Sequence, residues 1–442
     1  MNKENEKKGL NISVKSFITA IVVIFILMVL TYGLTFVVPE GGISFWKWIL
    51  SPILVLGSED NVSLIAVLIF LLVIGGVFNC LDKCGLMKYM LDKITYRFGK
   101  ERYKLLAFIS LFFMAMGSFV GSFEESVPLV PIVVALAIRL GWDALVGVGM
   151  SLLAIGCGFA AGICNPFTVG VAQELAGLPM FSGMWFRMLS FVSVYVLLMG
   201  FLLHYAKRVE KPLNEAMTDI RFERNQKMDE GLICFASFMC GGIVVVLSSV
   251  FITLLQDYTM IIVALTFLVA GIASSIISGM GGKLGSTFLN GVMSVLPAVL
   301  MILMANSIKY TLVEGNILDT ILQTAIATAG TLPKWAVILF IYFIVLVMNF
   351  FISSGSAKAF LLMPLIVPVA EVFGISAQLC VVAYAFGDGF SNVFYPTNPV
   401  LLIGLGMADV DYGKWVKWSW KFQVMNLLLT SGLLMFGLVI GY

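Results

Sequence analysis

A chain of 442 residues that is 60% hydrophobic and 12% charged is not a soluble domain; soluble domains carry about 25% charged residues. With a net charge of +2, the composition offers no basic surface for nucleic acid. A mean hydropathy of +1.03 and apolar runs near 20 residues fit a bilayer core of about 30 Å, so the predicted class is an all-α polytopic membrane protein.

In chain order, lysines precede an apolar run from Phe17 to Val38. That run is longer than a signal-peptide core and lacks a small-residue cleavage site, so it is read as a retained helix. Full spans are predicted at 16–38, 62–81, 144–176, 187–205, 232–255, 259–279, 286–308, 376–408 and 418–441, with 144–176 and 376–408 interrupted. Two apolar stretches, 104–140 and 335–373, are broken by Gly121 to Ser126 and by Ser353 to Lys358. Arms of roughly 15 residues reach about 22 Å, short of a full crossing, so both are read as re-entrant hairpins. Residues 83–98 and 313–328 are amphipathic and suit arms lying along the interface. Trp46, Trp48, Trp185, Trp335, Trp415, Trp418 and Trp420 suit an aromatic belt.

The two halves repeat. Gly85, Pro131, Gly141, Gly156-Cys157-Gly158-Phe159 and Gly183-Met184-Trp185 recur as Gly315, Pro364, Gly374, Gly387-Asp388-Gly389-Phe390 and Gly413-Lys414-Trp415, at an offset of 230 to 233 residues. A duplicated bundle with helix breaks in matching places is the sequence mark of a secondary transporter. The domain reading is a first half over 1–205, a charged cytoplasmic linker over 206–230, and a second half over 231–442. With the N-terminus in the cytoplasm and both hairpins returning to the side they leave, 22 of the 27 lysines and arginines fall on the cytoplasmic side. Five crossings separate the copies, so the repeat is inverted. Hairpin one then enters from the cytoplasm and hairpin two from outside.

Broken helices in a membrane are tolerated where they line a cavity or lie within protein, so the site is expected at the two tips and the two breaks. A carboxylate leaving water needs fixed donors, which helix N-termini and Ser, Thr and Asn side chains supply. Glycines allow close approach of backbone to substrate, and equally close packing of helices. Pro166 and Pro396 suit the first turn of a restarting helix. The candidate substrate residues are Ser122, Glu124, Glu125 and Ser126 at tip one, and Asn165 and Thr168 at break one. Tip two adds Ser354, Gly355, Ser356 and Lys358, and break two adds Asp388, Ser391, Asn392, Thr397 and Asn398. Charges at this depth cost about 2.5–3.5 kcal/mol each on insertion scales, which singles out Glu124, Glu125, Lys358 and Asp388. Glu125 and Lys358 are equivalent in the repeat and could form an opposed pair, either structural or substrate-binding.

The single histidine, His204, and seven cysteines in or beside apolar segments do not suggest a metal site; the thiols are read as core. No Ser/His/Asp constellation suggests an enzyme. No cofactor is implied, and the coupling ion, H+ or Na+, stays open.

The run Glu-Glu-Ser-x-Pro-(x)2-Pro, then Gly-Phe-Ala-Ala-Gly-x-x-Asn-Pro-Phe-Thr-Val-Gly-x-Ala-Gln, then Ser-Ser-Gly-Ser-Ala, then Phe-Gly-Asp-Gly-Phe-Ser-Asn-x-x-Tyr-Pro-Thr-Asn resembles the YfcC branch of the DcuC-type carriers, within the ion transporter superfamily. The resemblance covers roughly 15–440. It implies a homodimeric, elevator-type carrier in the plasma membrane, with a scaffold domain and a moving transport domain. It implies a small-molecule substrate of one of two kinds: a basic amino acid exchanged as arginine against ornithine, or a C4-dicarboxylate. Two acidic tip residues fit an amino or guanidinium group better than a dianion. A channel is the competing class.

Overall fold

The computed structural model describes residues 14–37, 41–57, 61–98, 101–121, 123–179, 181–211, 224–249, 259–317, 320 and 332–442. Among the described residues every regular element is a helix, with no strand. The helices are α1 (Val14–Thr35), α2 (Asn61–Lys83), α3 (Leu86–Phe98), α4 (Arg102–Ala115) and α5 (Val130–Arg139). They continue with α6 (Ala144–Ala161, containing one π turn), α7 (Val171–Leu175), α8 (Met184–Val209), α9 (Gln226–Ser249) and α10 (Thr259–Ile277). The last are α11 (Leu284–Glu314), α12 (Lys334–Phe351), α13 (Gly355–Val372), α14 (Ala377–Asn392), α15 (Pro399–Met407) and α16 (Tyr412–Ile440). Seven of these segments are long and apolar enough to cross a membrane, or eight if the bent pair α2–α3 counts as one span.

The repeat is visible in the element boundaries. α4 begins at 102 and α12 at 334, α6 at 144 and α14 at 377, so second-copy elements start 232 or 233 residues on. Each of the two long central helices stops and restarts. α6 ends at Gly162, whose φ of 35° only glycine adopts freely, and the chain restarts at Pro166. α14 ends at Asn392 and the chain restarts as α15. Both predicted interruptions are therefore present, at 162–165 and 393–398. Gly156 to Phe159 and Gly387 to Phe390 lie in continuous helix before those breaks.

These glycines serve helix packing. A Cβ on Gly158 would stand 1.8 Å from the Met114 carbonyl oxygen of α4, and one on Gly389 would stand 2.3 Å from the Ala160 backbone of α6. One on Gly387 would stand 2.7 Å from Val345 of α12, at the position equivalent to Met114. Small residues let membrane helices approach this closely.

The arms of the predicted hairpins are longer than the sequence suggested. α12 and α13 have 18 residues each, about 27 Å at 1.5 Å per residue. In copy two each arm is therefore long enough to cross a membrane, not the short arm expected. α12 and α13 do pack on each other around the turn at 352–354. In copy one a π turn (Met116–Val120), Gly121 with φ 75° and a 3-10 turn (Glu124–Leu129) separate α4 from α5.

Two groups of helices emerge from the packing. α1, α2, α9, α10 and α11 pack mainly among themselves, while α4 to α8 and α12 to α16 form a second assembly around α6 and α14. α3 leaves α2 at 70°, consistent with the amphipathic arm expected there; most of its expected counterpart, 313–328, lies outside the described residues. Residues 212–223 of the charged linker also lie outside the described residues; α8 supplies the linker's start up to Val209 and α9 its end from Gln226.

Two of the expected belt tryptophans belong to the interior. Trp48 and Trp415 are buried and donate to the carbonyl oxygens of Met28 and Val393, at 3.1 and 2.8 Å. Cys80, Cys157 and Cys380 are buried as expected of core thiols, but Cys240 is exposed.

Candidate substrate site

The second copy builds its polar centre from three helices. α12 is apolar until Asn349, which lies one turn before its end. Asn349 Nδ2 lies 3.0 Å from the Asp388 carbonyl oxygen, 2.6 Å from Ser391 Oγ and 3.0 Å from Asn392 Oδ1, and its two hydrogens are shared among these three acceptors. Lys358, one turn into α13, reaches back to the same point. Its Nζ meets Asp388 Oδ1 at 2.5 Å, the Ile352 carbonyl oxygen at 3.1 Å, and Asn349 Oδ1. An ammonium has three hydrogens, and here each has an acceptor. Lys358 and Asp388 are fully buried. Two charges held this far from water persist because each is paired and hydrogen-bonded.

Asn392 passes the network on to break two. Asn398 Nδ2 donates to Asn392 Oδ1 at 2.9 Å, while Asn398 Oδ1 accepts from the Val400 and Leu401 N–H groups at 2.9 and 3.2 Å. Asn398 therefore caps α15, with Pro399 in its first turn. Break one uses the same dipeptide: Asn165 Oδ1 accepts from the Thr168 N–H at 3.3 Å and Pro166 opens the restart. The equivalent pairs are Asn165-Pro166 and Asn398-Pro399. Pro396, expected in the restart, lies in the turn before it.

The copies meet at Gly355. A Cβ there would stand 2.5 Å from Thr168 Cγ2 and 2.8 Å from Asp388 Oδ2. Tip two, break one and the Asp388 carboxylate thus share one spot, and Gly355 is small because three elements converge on it. Asp388 Oδ2 and Thr168 Oγ1 are buried there with no hydrogen-bond partner among the described residues. The contact is reciprocal: α13 packs on 166–175 of the first copy, and the tip-one turn Glu124–Leu129 packs on α15 of the second. Each tip seats on the restarted half of the other copy's broken helix.

Lys358, Asp388, Ser391, Asn392 and Asn398 thus join one network, and Thr168 and Gly355 abut it. Asn165 holds Thr168 in place. Ser354 Oγ accepts from the Ala357 N–H at 3.4 Å and caps α13. Ser356 is half-buried near the start of α13, and Thr397 is buried in break two with its hydroxyl unpartnered among the described residues. Ser126 is buried and donates to its own turn, at the Phe123 carbonyl oxygen, 2.7 Å away. Ser122 lies outside the described residues, as do the side chains of Glu124 and Glu125.

Two residues escaped the sequence reading. Asn349 organises the network, and the signal was present: an amide near the end of an otherwise apolar arm. Arg187 is the other. It is buried, and its guanidinium donates to the carbonyl oxygens of Ile163, Ser182 and Phe181 at 2.9 to 3.2 Å. It ties the carbonyl of Ile163 in break one to those of Phe181 and Ser182 just before α8. A cation in the same run as Trp185 reads from sequence as an interface residue.

Apolar crossing helices folded around paired buried charges and two helix breaks make a multi-pass membrane transporter. The chain belongs to the DcuC family of C4-dicarboxylate anaerobic carriers, whose model matches residues 50–439. An Escherichia coli relative named "Putative basic amino acid antiporter YfcC" is 29% identical over 398 residues, covering 86% of this chain and 78% of that protein. An uncharacterised Haemophilus influenzae protein is 25% identical over 397 residues, covering 85% and 76%. The fold matches the crystal structure of the Alcanivorax borkumensis YdaH transporter with a TM-score of 0.50 at 18% identity, over 96% of this chain and 99% of that one. The family is one of carriers rather than enzymes.

Proposed function

We propose that the protein exchanges basic amino acids, arginine or ornithine in kind, across the plasma membrane by alternating access. The observation that carries this reading is the state of Lys358. Across the two tips and two breaks it is the one cationic side chain in the sequence. Its three hydrogens are taken by Asp388, Asn349 and Ile352. A dicarboxylate would bring two negative charges to tips and breaks whose one cationic residue is already neutralised, while Arg187, which reaches break one, is committed to the carbonyls of Ile163, Ser182 and Phe181. A basic amino acid brings one carboxylate, which helix N-termini and hydroxyls can hold, and a cationic side chain, for which Glu124 and Glu125 supply carboxylates. The name of the Escherichia coli relative points the same way.

The packing into two helical groups supports an elevator, in which α4 to α8 and α12 to α16 move as one body against α1, α2 and α9 to α11. In this reading α1, α2 and α9 to α11 form the dimer scaffold, the N-terminus is cytoplasmic, and the two tips belong to opposite gates. A C4-dicarboxylate carrier is the second reading, favoured by the family's description.

Thermal-shift screening of the purified protein separates the two, because a ligand that binds the folded state raises its stability by mass action. Arginine and ornithine are expected to stabilise it, and succinate and fumarate are not. Stabilisation by succinate alone would overturn the substrate class. Counterflow in proteoliposomes tests the mechanism: saturable exchange is expected, and conductance without saturation would indicate a channel.

A further inference from the structure

Three oxygen atoms of different kinds surround the Lys358 ammonium: a carboxylate oxygen of Asp388, the amide oxygen of Asn349 and the carbonyl oxygen of Ile352. Ile352 is the residue on which α12 ends, with φ −121° and ψ 97°, so its carbonyl is released from the helix. Released carbonyls at half-helix C-termini, joined by carboxylate and amide oxygens, are the ligands membrane carriers use for alkali cations. Two further oxygens stand ready. Asp388 Oδ2 is buried without a partner among the described residues, and so is Thr168 Oγ1, both against Gly355. This environment is richer in oxygen than three ammonium hydrogens require. The cation at its centre is the chain's own, the Lys358 ammonium.

We propose that the Lys358 ammonium is a resident cation occupying a sodium-type site built by Asp388, Asn349 and Ile352, so that the carrier needs no sodium at this position. The tether makes the difference. A bound sodium ion must enter and leave in each transport cycle, and so links transport to its gradient. An ammonium fixed to α13 neutralises Asp388 in every state and carries no such link. The second tip is then held closed on break two without an ion, which suits an exchanger driven by its two substrates. This inference rests on the proposed transport function only for that consequence, because the binding of sodium can be measured without any substrate.

The test removes the tethered cation and asks whether a free one replaces it. Purified full-length protein is heated in sodium chloride and in choline chloride at equal ionic strength, at pH 8. The wild type is expected to melt at the same temperature in both. Lys358→Ala is expected to melt higher in sodium, by about 1–2 °C for each tenfold increase above the dissociation constant. Adding Asp388→Asn to Lys358→Ala is expected to abolish that response. A Lys358→Ala protein stabilised equally by sodium and choline would overturn the proposal. So would sodium-specific stabilisation of the wild type that Asn349→Ala removes. If Lys358→Ala cannot be purified in choline, its recovery as folded protein in sodium supports the site, and failure in both salts overturns it. Loss of arginine binding would leave the sodium result standing, and the reverse also holds.

Discussion

The two halves put different chemistry at equivalent places. Copy two sets Asn349, Lys358 and Asp388 around one point and closes every hydrogen of the ammonium. Copy one has Ser118, Glu125 and Cys157 at the matching positions. There Ser118 Oγ accepts from the Ile163 N–H at 3.0 Å and so ties the break to α4, while Cys157 is a buried thiol. The duplicated backbone fixes where helices stop. The side chains laid on it divide the work: copy two neutralises itself, and copy one carries acidic residues without an equivalent lysine.

The largest test of that contrast is to break the self-neutralised half. Asp388→Ala leaves Lys358 charged and buried, and such a loss costs about 3–5 kcal/mol. A large fall in melting temperature is expected, and sodium should not restore it. Cys157→Ala, at the matching place in copy one, is expected to cost far less. Equal losses would mean that the two centres do not differ as described.

The packing at the crossing should be equally demanding in both copies. Gly158→Val and Gly389→Val each press a side chain into backbone, of Met114 and Ala160 respectively. Overpacking costs about 1–3 kcal/mol and sometimes more, so both variants should melt lower by comparable amounts. Tolerance of valine at either site would remove the close crossing from the account.

The caps sharpen the comparison at smaller scale. Asn398→Ala should cost about 1 kcal/mol for the lost cap of α15, plus its bond to Asn392. Asn398→Asp keeps the cap oxygen and should recover part of the loss. Outside the membrane, Asp229 at the start of α9 accepts from Tyr89, Lys93 and Arg224, and those hydrogen bonds hold its carboxylate well below its ordinary pKa. Its contribution is therefore present above the ordinary carboxylate range and lost as pH falls through and below it. The melting difference between wild type and Asp229→Asn should narrow below about pH 4.

Much of this architecture was legible in the sequence because a membrane enforces simple rules. Apolar runs gave the spans, and recurrent Gly and Pro gave the two interruptions. Local signals misled in specific ways. Gly-x-Gly suggested a break, whereas membrane helices use it for close packing and break a turn later. The arm lengths around tip two looked short because the polar tip was counted out of helices that extend into it. The partner of Lys358 was not legible either. Repeat symmetry pointed to Glu125, while Asp388, 30 residues on, is brought to Lys358 only by the packing of α13 on α14. Asn349 was missed because one amide in an apolar run has no motif around it.

The central claim is that copy one meets the cationic end of the substrate while the charged pair of copy two is internal. Arginine affinity of the purified protein tests it most directly, measured for wild type, for Glu125→Gln, and for Lys358→Met combined with Asp388→Asn. A hydrogen bond to a charged group contributes about 1.5–3 kcal/mol, so Glu125→Gln should weaken arginine binding at least about tenfold without lowering the melting temperature. The double variant removes both internal charges together and should bind arginine within a few-fold of wild type. Unchanged arginine affinity in Glu125→Gln, with loss of binding in a well-folded double variant, would contradict the claim.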